Sequence, residues 1–273
     1  MLAVNTTGPD ILEPHALRQE GRLGSAPRNG VSLFFPAGQR PSAQAIAALL
    51  AAEPGTGSGG GVTARISHRP PDRDGWVELL ANGLTFDLVG LAPAPPAPQT
   101  EIVQEHGFDG ACSLEGLETV ELVPGGHIVG GARLLPVIRV LAGLAASLAL
   151  KLPVAAVGWQ SAQTVMEPRY FAQVVVNWLA GGAFPTLGLT ALLRAEDGSI
   201  ATRGLARFSG QEMQLEAAAG ETPSDSLKLA IRVVDFLVRQ GKLAAPREID
   251  SPRGRLLVEP SQTGRQVWVW RQN

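Results

Sequence analysis

The first half of the chain alternates short apolar segments with turn residues, and this pattern predicts strands and helices in mixed order. The predicted strands are Val31–Pro36, Val62–His68, Trp76–Ala81 and Leu84–Leu91. The predicted helices are Ser42–Glu53, with Ser42 as the cap, and the long apolar Leu134–Leu150. Asn82-Gly83 is typical of a tight hairpin turn between two strands. The glycine-rich stretch from Gly107 to Gly131 predicts a middle region that is mostly loop.

The second half repeats this order of elements. Its predicted strands are Val154–Trp159, Thr186–Ala195, Ser199–Ala206, Glu212–Ala217, Leu256–Glu259 and Gln266–Trp270. Its predicted helices are Pro168–Leu179 and Ser224–Gln240. We therefore expect an α+β fold made of two similar β-α-β-hairpin-α modules, 31–152 and 153–273. They would form one compact two-lobed unit with mostly antiparallel sheets and helices on one face. Residues 1–30 are expected to be a poorly structured arm.

Composition and charge limit which classes of partner we expect for this protein. The 273 residues are 45% hydrophobic and 18% charged, with a net charge of −2. The 20 arginines and 3 lysines are spread along the chain and balanced by 25 acidic residues, so we expect no nucleic-acid partner. Arg139 interrupts the most apolar run, which is then too short to span a bilayer. Without a signal peptide pattern at the start, we expect a cytoplasmic protein with no membrane contact.

Cofactor and metal motifs are absent from the sequence. A single cysteine, Cys112, and no zinc-type Cys/His spacing predict no metal site. The G-x-G-x-x-G match that starts at Gly55 follows a helix instead of a strand, so it indicates a turn and no cofactor is expected. His106, Cys112 and His127 share the glycine-rich loop and could form a thiolate nucleophile with its base. A buried, inert cysteine and surface histidines are the interpretation that we favour.

The segment Thr202–Glu212 (TRGLARFSGQE) carries the most distinctive pattern in the chain. Its glycines favour tight turns, and Thr202 and Glu212 could satisfy backbone donors there, which is the structural interpretation that we favour. The functional interpretation is a small polar ligand held by a polar patch against an aromatic wall. Its candidate ligand-binding residues are Thr202, Arg203, Glu212, Trp159, Trp178 and His127.

This segment also resembles a family of uncharacterised bacterial proteins, a domain of unknown function, through a threonine, glycine, aromatic, glycine and glutamate pattern. Supporting pieces are Asn82–Pro98, Val157-Gly158-Trp159, Pro168 and Phe171. The resemblance covers about residues 31 to 217. It implies an intracellular α+β domain and supplies no reaction.

Two classes of function remain open. The leading hypothesis is a non-enzymatic binding or interaction protein with an unknown protein partner or a small polar ligand. Trp268 and Trp270 share one strand face, which either packs onto the core, as we favour, or offers a partner surface. A symmetric homodimer through this terminal hairpin is a further expectation. The alternative is a small-molecule enzyme, such as a hydrolase, with a site between the lobes. Glu212 and His127 in one cleft would favour the enzyme.

Overall fold

The structure is a computed structural model that describes residues 29–52, 62–252 and 254–272. The predicted N-terminal arm up to residue 28 and the predicted Gly55–Gly61 turn lie outside the described residues. Helices and strands are present in nearly equal amounts, and the strands form two mostly antiparallel sheets. The predicted α+β class is therefore confirmed.

The first sheet contains eight strands in the order β2-β3-β4-β6-β1-β7-β8-β5. These strands are β1 (Val31–Pro36), β2 (Ala64–His68), β3 (Trp76–Ala81), β4 (Leu84–Val89), β5 (Gln104–His106), β6 (Leu117–Pro124), β7 (Ala156–Trp159) and β8 (Thr164–Met166). All neighbours pair antiparallel except β5 and β8. Asn82 and Gly83 both have positive φ, which the tight β3–β4 turn requires. Two strands of this sheet, β7 and β8, lie beyond the predicted module boundary at 152/153.

The second sheet contains six strands in the order β12-β13-β14-β11-β10-β9. These strands are β9 (Ala191–Arg194), β10 (Ile200–Arg203), β11 (Glu212–Leu215), β12 (Arg247–Ser251), β13 (Gly254–Pro260) and β14 (Gln266–Arg271). The predicted terminal hairpin is the β13–β14 pair, and β11 joins it in parallel. At the outer edge, the side-chain amide of Gln104 bonds both the carbonyl (2.6 Å) and the N–H (3.1 Å) of Leu192. This contact joins an edge strand of each sheet.

The helices are α1 (Ala43–Ala51), α2 (Leu135–Lys151), α3 (Pro168–Leu179), α4 (Thr186–Leu189), α5 (Ala206–Ser209) and α6 (Pro223–Gln240). The hydroxyl of Ser42 accepts from Ala45 N–H at 3.1 Å and begins α1, as predicted. Helix α2 packs on β1, β4 and β6 and against α3, while α6 packs against α4, α5 and β10. One hydrophobic cluster extends from Val31 in the first sheet to Val269 in the second.

The middle of the chain is more regular than the sequence predicts. Strand β6 fills the centre of the first sheet between β4 and β1, and a 3-10 helix spans Gly126–Gly131. The prediction that Gly107–Gly131 is mostly loop is therefore wrong over these two elements. Strand β6 carries Glu121 on a buried face, where the side-chain amide of Gln160 donates to its carboxylate at 2.8 Å. Among the described residues, no helix is long and apolar enough to cross a membrane.

Candidate functional site

Four aromatic rings meet where the two sheets come together. Trp159 ends β7, Trp178 lies in α3, Phe184 follows α3 and Phe208 lies in α5. Phe208 stacks on Trp159 with ring centroids 6.1 Å apart and meets Phe184 edge-on at 4.7 Å. Trp178 contacts both phenylalanines edge-on. The two tryptophans that the sequence singled out therefore belong to one aromatic cluster, joined through Phe208.

Glu212 is committed to the backbone of the turn before α5. One carboxylate oxygen accepts from the N–H groups of Gly204 (2.9 Å) and Ala206 (3.1 Å), and the other from Leu205 N–H (3.2 Å) and the Thr202 hydroxyl (2.6 Å). Both oxygens are thereby engaged in holding the chain reversal between β10 and β11. This geometry is the structural arrangement that the sequence analysis favoured.

The geometry of this turn also explains why two glycines occur in the segment. Gly204 has a φ of +87°, and an added Cβ would lie 2.9 Å from the backbone of Ala162. Gly210 has a φ of +83° and ends α5. The threonine, glycine, aromatic, glycine and glutamate pattern thus describes a capped turn with Phe208 packed into the core.

Two of the candidate ligand-binding residues make no ring contact with the aromatic cluster among the described residues. Arg203 contacts the side-chain oxygen of Gln163. His127 is exposed in the 3-10 helix, and its charge acts on Asp87 of β4. Glu212 and His127 have separate partners, so no contact brings them together among the described residues.

Arg207, which the sequence analysis did not single out, is the unusual residue of this region. It is only 5% exposed, and none of its three guanidinium nitrogens has a hydrogen-bond partner among the described residues. Its Cζ lies 5.3 Å from the ring centroid of Trp159. Burial, reinforced by the charge of Arg133, lowers the pKa of Arg207 to about 10. The side chain therefore remains charged at neutral pH, and no carboxylate or carbonyl of the described residues receives its hydrogens.

Other buried donors share this neighbourhood. The indole Nε1 of Trp159 and the hydroxyl of Ser161, two residues further along the chain, are also buried and find no hydrogen-bond partner in the described part of the chain. Arg139, by contrast, lies over Trp178 at 5.0 Å and donates to the Leu179 carbonyl at 2.9 Å. Two arginines thus flank the aromatic cluster. Within the described ranges Arg139 has an acceptor and Arg207 has none. In a single sequence, Arg207 cannot be told from a surface arginine.

The cysteine–histidine pair considered from the sequence has the wrong electrostatics for nucleophilic catalysis. Burial and the charge of Glu105 raise the pKa of the Cys112 thiol, whereas an activated cysteine has a lowered pKa. Burial lowers the pKa of His106, which opposes the imidazolium that would stabilise a thiolate. No group of three metal-ligating side chains occurs in the part of the chain that the structure describes.

Comparisons with protein-family models, with curated proteins and with solved structures found no match to this chain.

Proposed function

We propose that this protein is a non-enzymatic binding protein that holds a small organic carboxylate or phosphate against Arg207. The observation that carries the proposal is the buried guanidinium without an acceptor. An isolated charge costs several kcal/mol to bury, and a cation–π contact such as that with Trp159 returns about 2 kcal/mol of this cost. A bound anion would offset the remainder.

The chemistry of the available donors selects an anion. A guanidinium presents its N–H groups in a planar fork that matches carboxylate and phosphate oxygens. Trp159 Nε1 can only donate, the Ser161 hydroxyl can donate, and Arg133 adds a second positive charge. The neighbouring rings of Trp159 and Phe208 favour an organic anion over a strongly hydrated inorganic one.

Access to Arg207 requires movement, because its nitrogens are shielded from solvent in this structure. The segment around Arg133 is loosely packed: Val129 is 62% exposed and Leu134 61% exposed. An added Cβ at Gly130 would meet no atom within 4 Å. Segments with few buried contacts open at low free-energy cost, so we place the entrance on this side.

The first test is native mass spectrometry, in which a retained anion would add to the 28.6 kDa protein and be lost on denaturation. Benzoate and phenyl phosphate are then titrated in a thermal-shift assay, with neutral benzyl alcohol for comparison. We expect both anions, and not the alcohol, to raise the Tm of the wild type. Arg207→Met should abolish the shift and the matched control Arg139→Met should retain it. No shift in the wild type, or an equal shift in Arg207→Met, contradicts the proposal.

A small-molecule enzyme is the second candidate, and one observation favours it. Asp87 on β4 lies directly opposite Glu78 on β3. Burial and the Glu78 charge raise the pKa of Asp87, while the charge of His127 acts to lower it. Carboxylates in unequal environments can divide acid and base roles. A panel of esters, amides and phosphoesters tests this candidate: turnover lost in Asp87→Asn supports it, and turnover unchanged in that variant removes it.

A further inference from the structure

The second sheet presents two tryptophans on its outer face. Val267 and Val269 of β14 are buried in the core, and Trp268 and Trp270 alternate with them, so both indoles project from the opposite face. Their ring centroids are 5.9 Å apart with planes inclined by 21°, and Trp270 is 37% exposed. The core packing favoured from the sequence is therefore wrong for this pair, because the valines occupy the core. We call Trp268 and Trp270 the tryptophan face.

A groove of about 330 Å³ runs along the tryptophan face, and Asp197, Gln214 and Glu216 line its polar side. Glu259 lies beside Trp268 across the β13–β14 ladder and accepts from Trp270 Nε1 at 3.1 Å. The groove therefore combines flat aromatic surface with acidic side chains.

The carboxylates of the groove, and that of Glu259 beside it, are not neutralised by salt bridges with the described residues. Asp197, Glu216 and Glu259 form none with any described lysine or arginine. Of the arginines at this end of the sheet, Arg271 contacts the Glu221 carboxylate and Arg194 donates to the Gly198 and Pro223 carbonyls. Hydrogen bonds from Ser199 lower the pKa of Asp197, so this carboxylate is ionised at neutral pH.

We propose that the tryptophan face and its groove bind an arginine side chain presented by an extended basic segment of a partner protein. A guanidinium group can stack its plane on an aromatic ring while its edge donates to carboxylates, and the groove offers both aromatic rings and carboxylates. A groove of this size takes one long side chain. The negative charge favours a cation over a neutral sugar ring, which would also stack on tryptophan.

The experiment titrates the full chain with an acetylated and amidated peptide, Gly-Ser-Arg-Gly-Ser-Arg-Gly-Ser, followed by tryptophan fluorescence. The matched titration uses the same peptide with each arginine replaced by citrulline, its neutral isostere. We expect the arginine peptide to bind with a Kd on the order of 0.1–1 mM and the citrulline peptide at least fivefold more weakly. Raising the salt concentration from about 50 to about 300 mM should weaken the binding of the arginine peptide and leave that of the citrulline peptide unchanged.

Variants locate the interaction. Asp197→Asn combined with Glu216→Gln should weaken arginine-peptide binding at least fivefold, and Trp270→Leu should do the same. Asn-Gly still favours the turn at Asp197, and circular dichroism checks the fold of each variant. The control is Glu248→Gln on β12, an acidic residue of the same sheet that is paired with Arg255.

Each contrary result overturns the proposal. These results are no binding of the arginine peptide up to 10 mM, equal affinity for the citrulline peptide, or unchanged affinity in the charge-neutralised variant. Binding of a neutral hexasaccharide of glucose in place of the arginine peptide would assign the tryptophan face to carbohydrate instead.

Discussion

Replacing Arg207 with methionine should make the ligand-free protein more stable. The lowering of the Arg207 pKa from its ordinary value to about 10 means that the folded protein disfavours the charged guanidinium by about 3 kcal/mol. The contact with Trp159 offsets about 1–2 kcal/mol of that cost. Methionine keeps an unbranched apolar stem without the charge. We therefore expect the free energy of unfolding to rise by about 1–2 kcal/mol.

The assay is urea unfolding followed by far-UV circular dichroism and tryptophan fluorescence. Arg139→Met is the control, because Arg139 donates to the Leu179 carbonyl and its loss should cost about 1 kcal/mol. The two substitutions thus make the same chemical change with opposite expected signs.

A loss of more than about 1 kcal/mol in Arg207→Met would refute the reasoning, since it would mean that Arg207 has a partner in the ligand-free protein. Equal m-values in the two variants would show that the change lies in stability and not in the compactness of the unfolded chain.

Three further predictions concern single groups. Glu212→Ala should lower the free energy of unfolding by about 2–4 kcal/mol in urea denaturation, because the backbone N–H groups that donate to Glu212 lose their acceptor. A loss below about 1 kcal/mol contradicts this. Gly204→Ala should cost about 2 kcal/mol or more by the same assay, from its positive φ and the contact with Ala162, and a neutral result contradicts it. Asp87→Asn should raise the Tm slightly at pH 7 and not below pH 4. Its raised folded-state pKa destabilises the fold as pH rises above the unfolded value, and a fall in Tm at pH 7 contradicts this sign.

Elements with local signals were predictable from the sequence. Ser42 before α1, Asn82-Gly83 between β3 and β4, and Pro168 at the start of α3 each act through bonds or dihedral angles within a few residues. Strand β6 was not predictable, because the burial of Glu121 depends on Gln160 of a distant segment. Long-range pairing of this kind leaves no trace in local periodicity.

The candidate site divides in the same way. The capping role of Glu212 was foreseen, because its donors lie six to ten residues away. Arg207 was missed, since its burial depends on Trp159 in the other sheet. The resemblance to a family of uncharacterised proteins, the non-enzymatic role and the homodimer stay predictions.

The amide of Gln104 at the edge of β9 also limits how this molecule can associate with others. An open strand edge is a template for adding a further chain, and here one side chain occupies the N–H and carbonyl of Leu192 that such a chain would use. The opposite edge, β12, carries Arg247, Glu248 and Asp250 as exposed charges. The second sheet thus discourages strand-by-strand polymerisation at one edge by occupying its backbone groups and at the other by charge.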